Sequence, residues 1–233
     1  EGGIMNTTRI APRRYLNRRR ARRVPLVLGA AGTLAVALAV ALWLAVASAA
    51  GGARRAGGSA PASSTPREEW RAGEVPFLYQ TDPQWASHPY AGGTVEKNGC
   101  GPTCLSMVYV SLTGRDDLDP SAMADFSERG GYTTDGMTAW ALMTDGAAEL
   151  GLVSEELPAS ASAVREALLA GRPVICSVGP GDFTSTGHFI VLSGLAGDGG
   201  VVVHDPNSAE RSSRTWDLER VLGQCLNLWA LSA

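Results

Sequence analysis

Cys100 and Cys104 lie four residues apart in the stretch NGCGPTCLSMVYVSL, and the chain has three histidines, His88, His188 and His204. A cysteine works as a nucleophile through its thiolate, with an imidazole in hydrogen-bond reach and a third group to orient that ring. Cys100 stands where a helix is expected to begin. Its sulfur then meets free N–H groups and the positive end of the helix dipole, the setting in which nucleophilic thiols occur. Gly99 and Gly101 remove side-chain bulk on both sides and leave an approach for a substrate backbone. Cys104, one turn further in on the side of Val108, reads as a small buried apolar residue.

The histidines differ in their surroundings. His88 falls in a polar loop and reads as surface, and His204 falls inside the expected strand VVVHD and reads as an ordinary strand residue. His188 follows a glycine at the mouth of the strand HFIVLSGL, where a ring is exposed yet held. AGDGG between these strands signals a hairpin. With Asp198-Gly199 as a two-residue turn, Gly197 faces Gly200, and strand alternation puts His188 on the same face as Asp205 and Asn207. Either could hold the imidazole; Asp205 would also stabilise an imidazolium. A register shifted by one residue would remove both.

Two other uses of the cysteines compete. Four cysteines, with Cys176 and Cys225 in or beside expected strands, could form two disulfides in an exported chain. A Cys100–Cys104 bond would mask the nucleophile. A metal site is disfavoured because Cys100, Cys104 and His188 lack a compact ligand spacing, and no cofactor is called for.

The elements that must position these groups follow from pattern. VPFLYQ (75–80) reads as a short strand or extended entry and 84–98 as a loop. A helix is predicted over 102–112, with Pro102 in its first turn and Leu105, Val108 and Leu112 on one face. DPSAMADFSERGG predicts a helix capped by Asp119 and ended by Gly130. TTDGMTAWALMTDGAAELG and SASAVREALLAG predict two more. PVICSV, HFIVLSGL and VVVHD read as strands, WDLERVLG as a short helix and LNLWALS as a last strand. Helices first and antiparallel strands last give an α+β class.

GCGPTCLSMV, GHFIVLSG and VVVHDPNS, in that order and spacing, resemble the papain-like cysteine peptidases of family 39, relatives of the double-glycine leader-processing domains of bacteriocin exporters. VPFLYQTDPQW points to the stand-alone branch. The resemblance implies a papain-like fold over 75–233, with Cys100 as nucleophile, His188 as general base and Asp205 as the orienting acid. It implies a glutamine in the oxyanion hole. Gln80 matches the family position, but it lies 20 residues ahead of Cys100, and Gln84 is its rival. The cleaved bond would be a peptide or amide, through an acyl-enzyme. A cell-wall amidase or transferase shares the triad, and a non-catalytic binding module could keep the fold.

The N-terminus reads as a membrane address. Residues 1–23 hold eight arginines and one acid, and 24–50 carry no charge. That run exceeds the ~20 residues needed to cross a bilayer, so a transmembrane signal anchor is expected, with a cleavable signal peptide as the alternative because of AVASAA. Either places the C-terminal part outside the cytoplasm, on the cell membrane or secreted. Residues 51–74 read as a flexible tether. The remainder carries 12 basic and 22 acidic residues, a balance that argues against nucleic acid. The expected partners are a peptide or protein substrate and, through the N-terminal helix, the membrane.

Overall fold

The computed structural model describes residues 63–233, which fall within a unit spanning Ser59–Ala233. The basic tail, the expected anchor at 24–50 and the start of the tether lie outside the described residues. Among the described residues no helix is long and apolar enough to cross a membrane.

The end of the expected tether is not free. Thr65 N–H donates to the Phe77 carbonyl at 2.7 Å, Phe77 N–H to Thr65 Oγ1 at 2.9 Å, and Ser64 N–H to Asp82 Oδ2 at 2.9 Å. Ser and Thr make such local backbone bonds readily, and Trp70 packs against the core. The ordered chain therefore begins ahead of residue 75, and no strand forms over 75–80, which ends in a turn at Gln80.

Residues 84–98 hold more than a loop: strands β1 (Pro89–Tyr90) and β2 (Gly93–Thr94), then a single turn, α1 (Val95–Asn98). Helix α2 (Cys100–Thr113) follows at once and begins at Cys100 itself. Apolar residues run all round it, so it is buried on most sides, as expected of a central helix. It stops at Gly114 (φ 69°), whose N–H closes on the Val110 carbonyl. Helix α3 (Pro120–Arg129) is capped as predicted, with Asp119 accepting from the Ser121 and Ala122 N–H groups.

The helix expected over 133–151 does not exist as one element. Asp135 (φ 48°) and Gly136 (φ 76°) turn the chain between β3 (Thr133–Thr134) and β4 (Met137–Thr138). Two successive positive φ angles make the tight turn that an Asp-Gly pair favours. A 3₁₀ turn at Trp140–Met143 and a short α4 (Asp145–Glu149) complete the segment.

After β5 (Val153–Glu156) and α5 (Ala161–Leu169), β6 (Val174–Val178), β7 (His188–Leu195), β8 (Val201–His204), α6 (Ala209–Ser212), β9 (Thr215–Trp216), α7 (Leu218–Leu222) and β10 (Cys225–Ser232) follow. The sheet order is β5-β10-β6-β7-β8-β9, and every pairing is antiparallel. Its two faces feed two cores. Ile175, Phe189, Val191 and Trp229 pack with Leu105, Val108 and Tyr109 of α2. Cys176, Ile190, Val203 and Ala230 pack with Val164, Leu168, Val221 and Leu222 of α5 and α7. The mixed helical and antiparallel class agrees with expectation.

The β7–β8 hairpin differs from the expected register twice, and the two differences cancel. Its loop has three residues, Gly197 to Gly199: Ala196 N–H donates to Gly200 O at 2.9 Å, and Gly199 N–H to Ala196 O at 3.0 Å. Gly199 takes φ 84°, the left-handed close of a three-residue loop. Pairing near the turn (Leu195 with Val201) is therefore one residue off expectation. A bulge between Leu192 and Gly194 adds a second one-residue step, so Val191 faces His204. A two-residue offset preserves side-chain parity, and His188 and Asp205 fall on one face.

Candidate active site

Cys100 is the first residue of α2 and half-buried. Its helix start is shaped by α1. In a continuous helix the Glu96 carbonyl would accept the Cys100 N–H. Here the helix is interrupted at Gly99, and the Gln80 side-chain amide donates to Glu96 O at 2.7 Å instead. The Cys100 N–H stands in the first turn of α2, where an N–H has no partner within its own helix. Gly101 passes so close to the β4 wall that a Cβ there would meet Thr138 side-chain atoms at 2.6–2.8 Å. Thr138 Oγ1 in turn holds the fully buried Tyr90 hydroxyl at 2.8 Å, and Tyr90 also reaches Ser127 Oγ at 2.9 Å.

His188 is the first residue of β7 and 7% exposed. Its Nε2 lies 2.8 Å from Asp205 Oδ1. Nδ1 is thus the ring nitrogen left for another partner, and Cys100 lines the same cleft. Burial works against the imidazolium, but the hydrogen bonds and charges of Asp205 and of the Cys100 sulfur outweigh it. The His188 pKa rises to about 9. Asp205 is wholly buried. Burial pushes its carboxyl up, and the hydrogen bonds and charges of His188 and Arg211 bring it below its ordinary value. Its Oδ1 also accepts the Asn207 N–H at 2.8 Å.

The cleft has a volume of about 570 Å³. Met137, Trp140 and Leu226 give it an exposed apolar side, and Lys97 and Asn98 stand at the Cys100 end of the chain lining it. Trp140 is fixed despite its exposure: its indole N–H donates to Ser177 Oγ at 3.1 Å, and it packs edge-on against Trp229.

The structure therefore brings together Cys100, His188 and Asp205. Of the two rival residues of the DPN stretch, Asp205 carries the side-chain contact to the ring. Asn207 contributes its backbone N–H and turns its side chain to solvent. Of the rival glutamines, Gln80 is buried against α1 immediately ahead of Cys100, with Oε1 unpartnered. Gln84 is exposed. Neither glutamine lines the cleft in this conformation. All four cysteines are free thiols, so neither disulfide arrangement is present. Cys104 is fully buried in the first core, and burial raises its thiol pKa well above the ordinary value. His204 stacks flat on Phe77 with ring centroids 3.8 Å apart, and burial drives its pKa down to about 4. Its Nδ1 donates to the Pro76 carbonyl.

Sequence reasoning did not find Arg211, which bonds the second oxygen of Asp205. The available signal was Ser208, whose side chain caps the single turn that carries Arg211 back toward Asp205. The apolar wall at 137–140 was missed with the hairpin that presents it.

The sequence pattern of the Peptidase_C39 like family matches residues 73–231. The crystal structure of the peptidase domain of Streptococcus ComA, described as a bi-functional ABC transporter involved in a quorum sensing pathway, is similar at TM-score 0.42 and 18% identity. That match covers 58% of this chain and 92% of the ComA domain. No curated protein matches the chain.

Proposed function

Because this chain belongs to the peptidase C39-like family, we propose that it is a thiol-dependent peptidase using Cys100, His188 and Asp205. The observation that carries the reading is the His188 Nε2 to Asp205 Oδ1 contact of 2.8 Å, with Cys100 lining the same cleft.

In this reading the Cys100 proton already sits on His188 Nδ1, in keeping with the raised imidazole pKa, and Sγ attacks the carbonyl carbon of a peptide lying in the cleft. Nε2–H stays on Asp205 Oδ1, which fixes the ring and offsets its positive charge. The carbonyl oxygen, now an oxyanion, accepts the Cys100 N–H, one of the preorganised donors that such intermediates need. Gln80 supports that donor by occupying the Glu96 carbonyl. The intermediate collapses, the leaving amine takes the proton from His188, and an acyl-enzyme remains. His188 then deprotonates water, which releases the acid and restores the thiolate.

Met137, Trp140 and Leu226 suit an extended peptide with an apolar side chain more than a polyanion. The uncharged run at 24–50 and the arginines before it support placing this domain outside the cytoplasm, held by an N-terminal membrane anchor.

Labelling with an alkyne analogue of iodoacetamide tests the nucleophile. Wild type labels rapidly at Cys100 at neutral pH, and His188→Gln labels about 10²-fold or more slowly, in the range of a lost acid–base partner. Equal labelling of Cys100→Ala and wild type would sink the assignment.

A further inference from the structure

Asp205 has two oxygens and both are committed. Oδ1 accepts from His188 Nε2 and the Asn207 N–H, each at 2.8 Å. Oδ2 accepts from Arg211 Nε at 2.5 Å. The carboxylate is fully buried, and the Arg211 side chain is 24% exposed. The turn that carries Arg211 is itself pinned. The Arg211 N–H donates to Ser208 Oγ, its carbonyl accepts the Trp216 indole N–H at 2.9 Å, and its neighbour Ser212 accepts the Asp205 N–H at 2.9 Å. The one-turn helix α6 thus wraps around the back of the acid.

We propose that Arg211 is a positioning residue for this site: its Nε–H fixes the far oxygen of Asp205, so that the carboxylate meets His188 in one orientation and divides its charge between imidazole and guanidinium. The proposal rests on His188 being the base. Its consequence is a restraint on that base. Arg211 stays charged at every accessible pH and competes with the ring for one carboxylate. A base that must return its proton to a leaving group is slowed when the imidazolium is held too firmly. The titratable groups set against Asp205 are Tyr79 from the entry segment, Cys104 from α2, His188 from β7 and Arg211 from α6, and Cys100 stands against His188. Arg211 is the permanent cation in that set.

The test uses the full chain in detergent micelles with ¹⁵N-labelled histidine, following the His188 ring nitrogens through a pH titration. In Arg211→Met the His188 midpoint rises by about one pH unit, the low end of the range for a charge at contact distance. Arg211→Lys returns it toward wild type. Arg211→Gln keeps a donor near Oδ2 and removes the charge; it gives the same rise and serves if the Met variant does not fold. An unchanged or lowered midpoint in the charge-removing variants overturns the proposal. Iodoacetamide alkylation of Cys100 in the same samples keeps the two ideas apart. A Cys100 no more reactive than Cys225 defeats the hydrolase reading, whereas a rapidly labelled Cys100 with an unmoved His188 midpoint defeats the role of Arg211 alone.

Discussion

Replacing His188 by Gln removes a pH dependence of folding whose size and sign follow from the site. The ring's ordinary pKa of 6.5 becomes about 9 in the folded protein. Burial opposes the charged form, but Asp205 and Cys100 prevail. Below pH 6.5 both folded and unfolded chains hold the proton, and the stabilisation is complete. As pH rises through 9 the folded chain releases it, and the stabilisation is lost. At ~1.4 kcal/mol per pH unit the whole effect is about 3 kcal/mol, most of it falling between pH 6.5 and 9. That is a sizeable share of the ~5–15 kcal/mol by which domains are stable. Urea unfolding at several pH values in that window, followed by tryptophan fluorescence, measures it. The difference between wild type and His188→Gln isolates the ring from the buried thiols Cys104 and Cys176, which matter only at the alkaline end. Wild type loses about 3 kcal/mol relative to the variant across the window. If the two lose stability in parallel, the imidazolium is not held by Asp205 and Cys100 and the reasoning is wrong.

Two other outcomes follow from the same geometry. Gly101→Ala drives a Cβ into the Thr138 side chain, at a cost of about 1–3 kcal/mol. The urea midpoint falls, and Cys100 labelling slows because the β3–β4 wall shifts. His204, with its pKa lowered from 6.5 to about 4 by burial, acts with the opposite sign to His188: its contribution is complete above pH 6.5 and is lost as pH falls toward 4. His204→Phe flattens the acid side of the stability profile in that range, as measured by the same titration of urea midpoints.

The parts of the site most legible in the sequence were those written in local pattern. A Pro-containing helix start with a cysteine between glycines, a histidine at a strand mouth and an Asp-Pro after the next strand are short-range signals. The link between His188 and Asp205 was reached through a register wrong by one residue at the turn. It survived because the bulge between Leu192 and Gly194, hinted at only by the glycine inside the strand, added a second step. The segment 133–151 misled for a different reason. Its apolar spacing fits a helix over 19 residues, yet Asp135-Gly136 favours a turn, and the two-residue strands beside it are too short to show alternation. Arg211 had only the Ser208 cap to point to it, because a single turn of helix has no periodicity and its role depends on a carboxylate six residues earlier. Gln80 was found by resemblance, but its hold on Glu96 depends on the break at Gly99, a matter of backbone conformation.

Cys100 rides on a helix, whereas His188 opens a strand and Asp205 follows one, 88 and 105 residues later in synthesis. No short stretch of the chain contains a competent site, and closing loops of that length belongs to the late, non-local part of folding. A nascent or partly unfolded molecule therefore carries a thiol without its base. If the proposed triad is the working one, a chain still folding cannot turn that thiol on its own exposed loops.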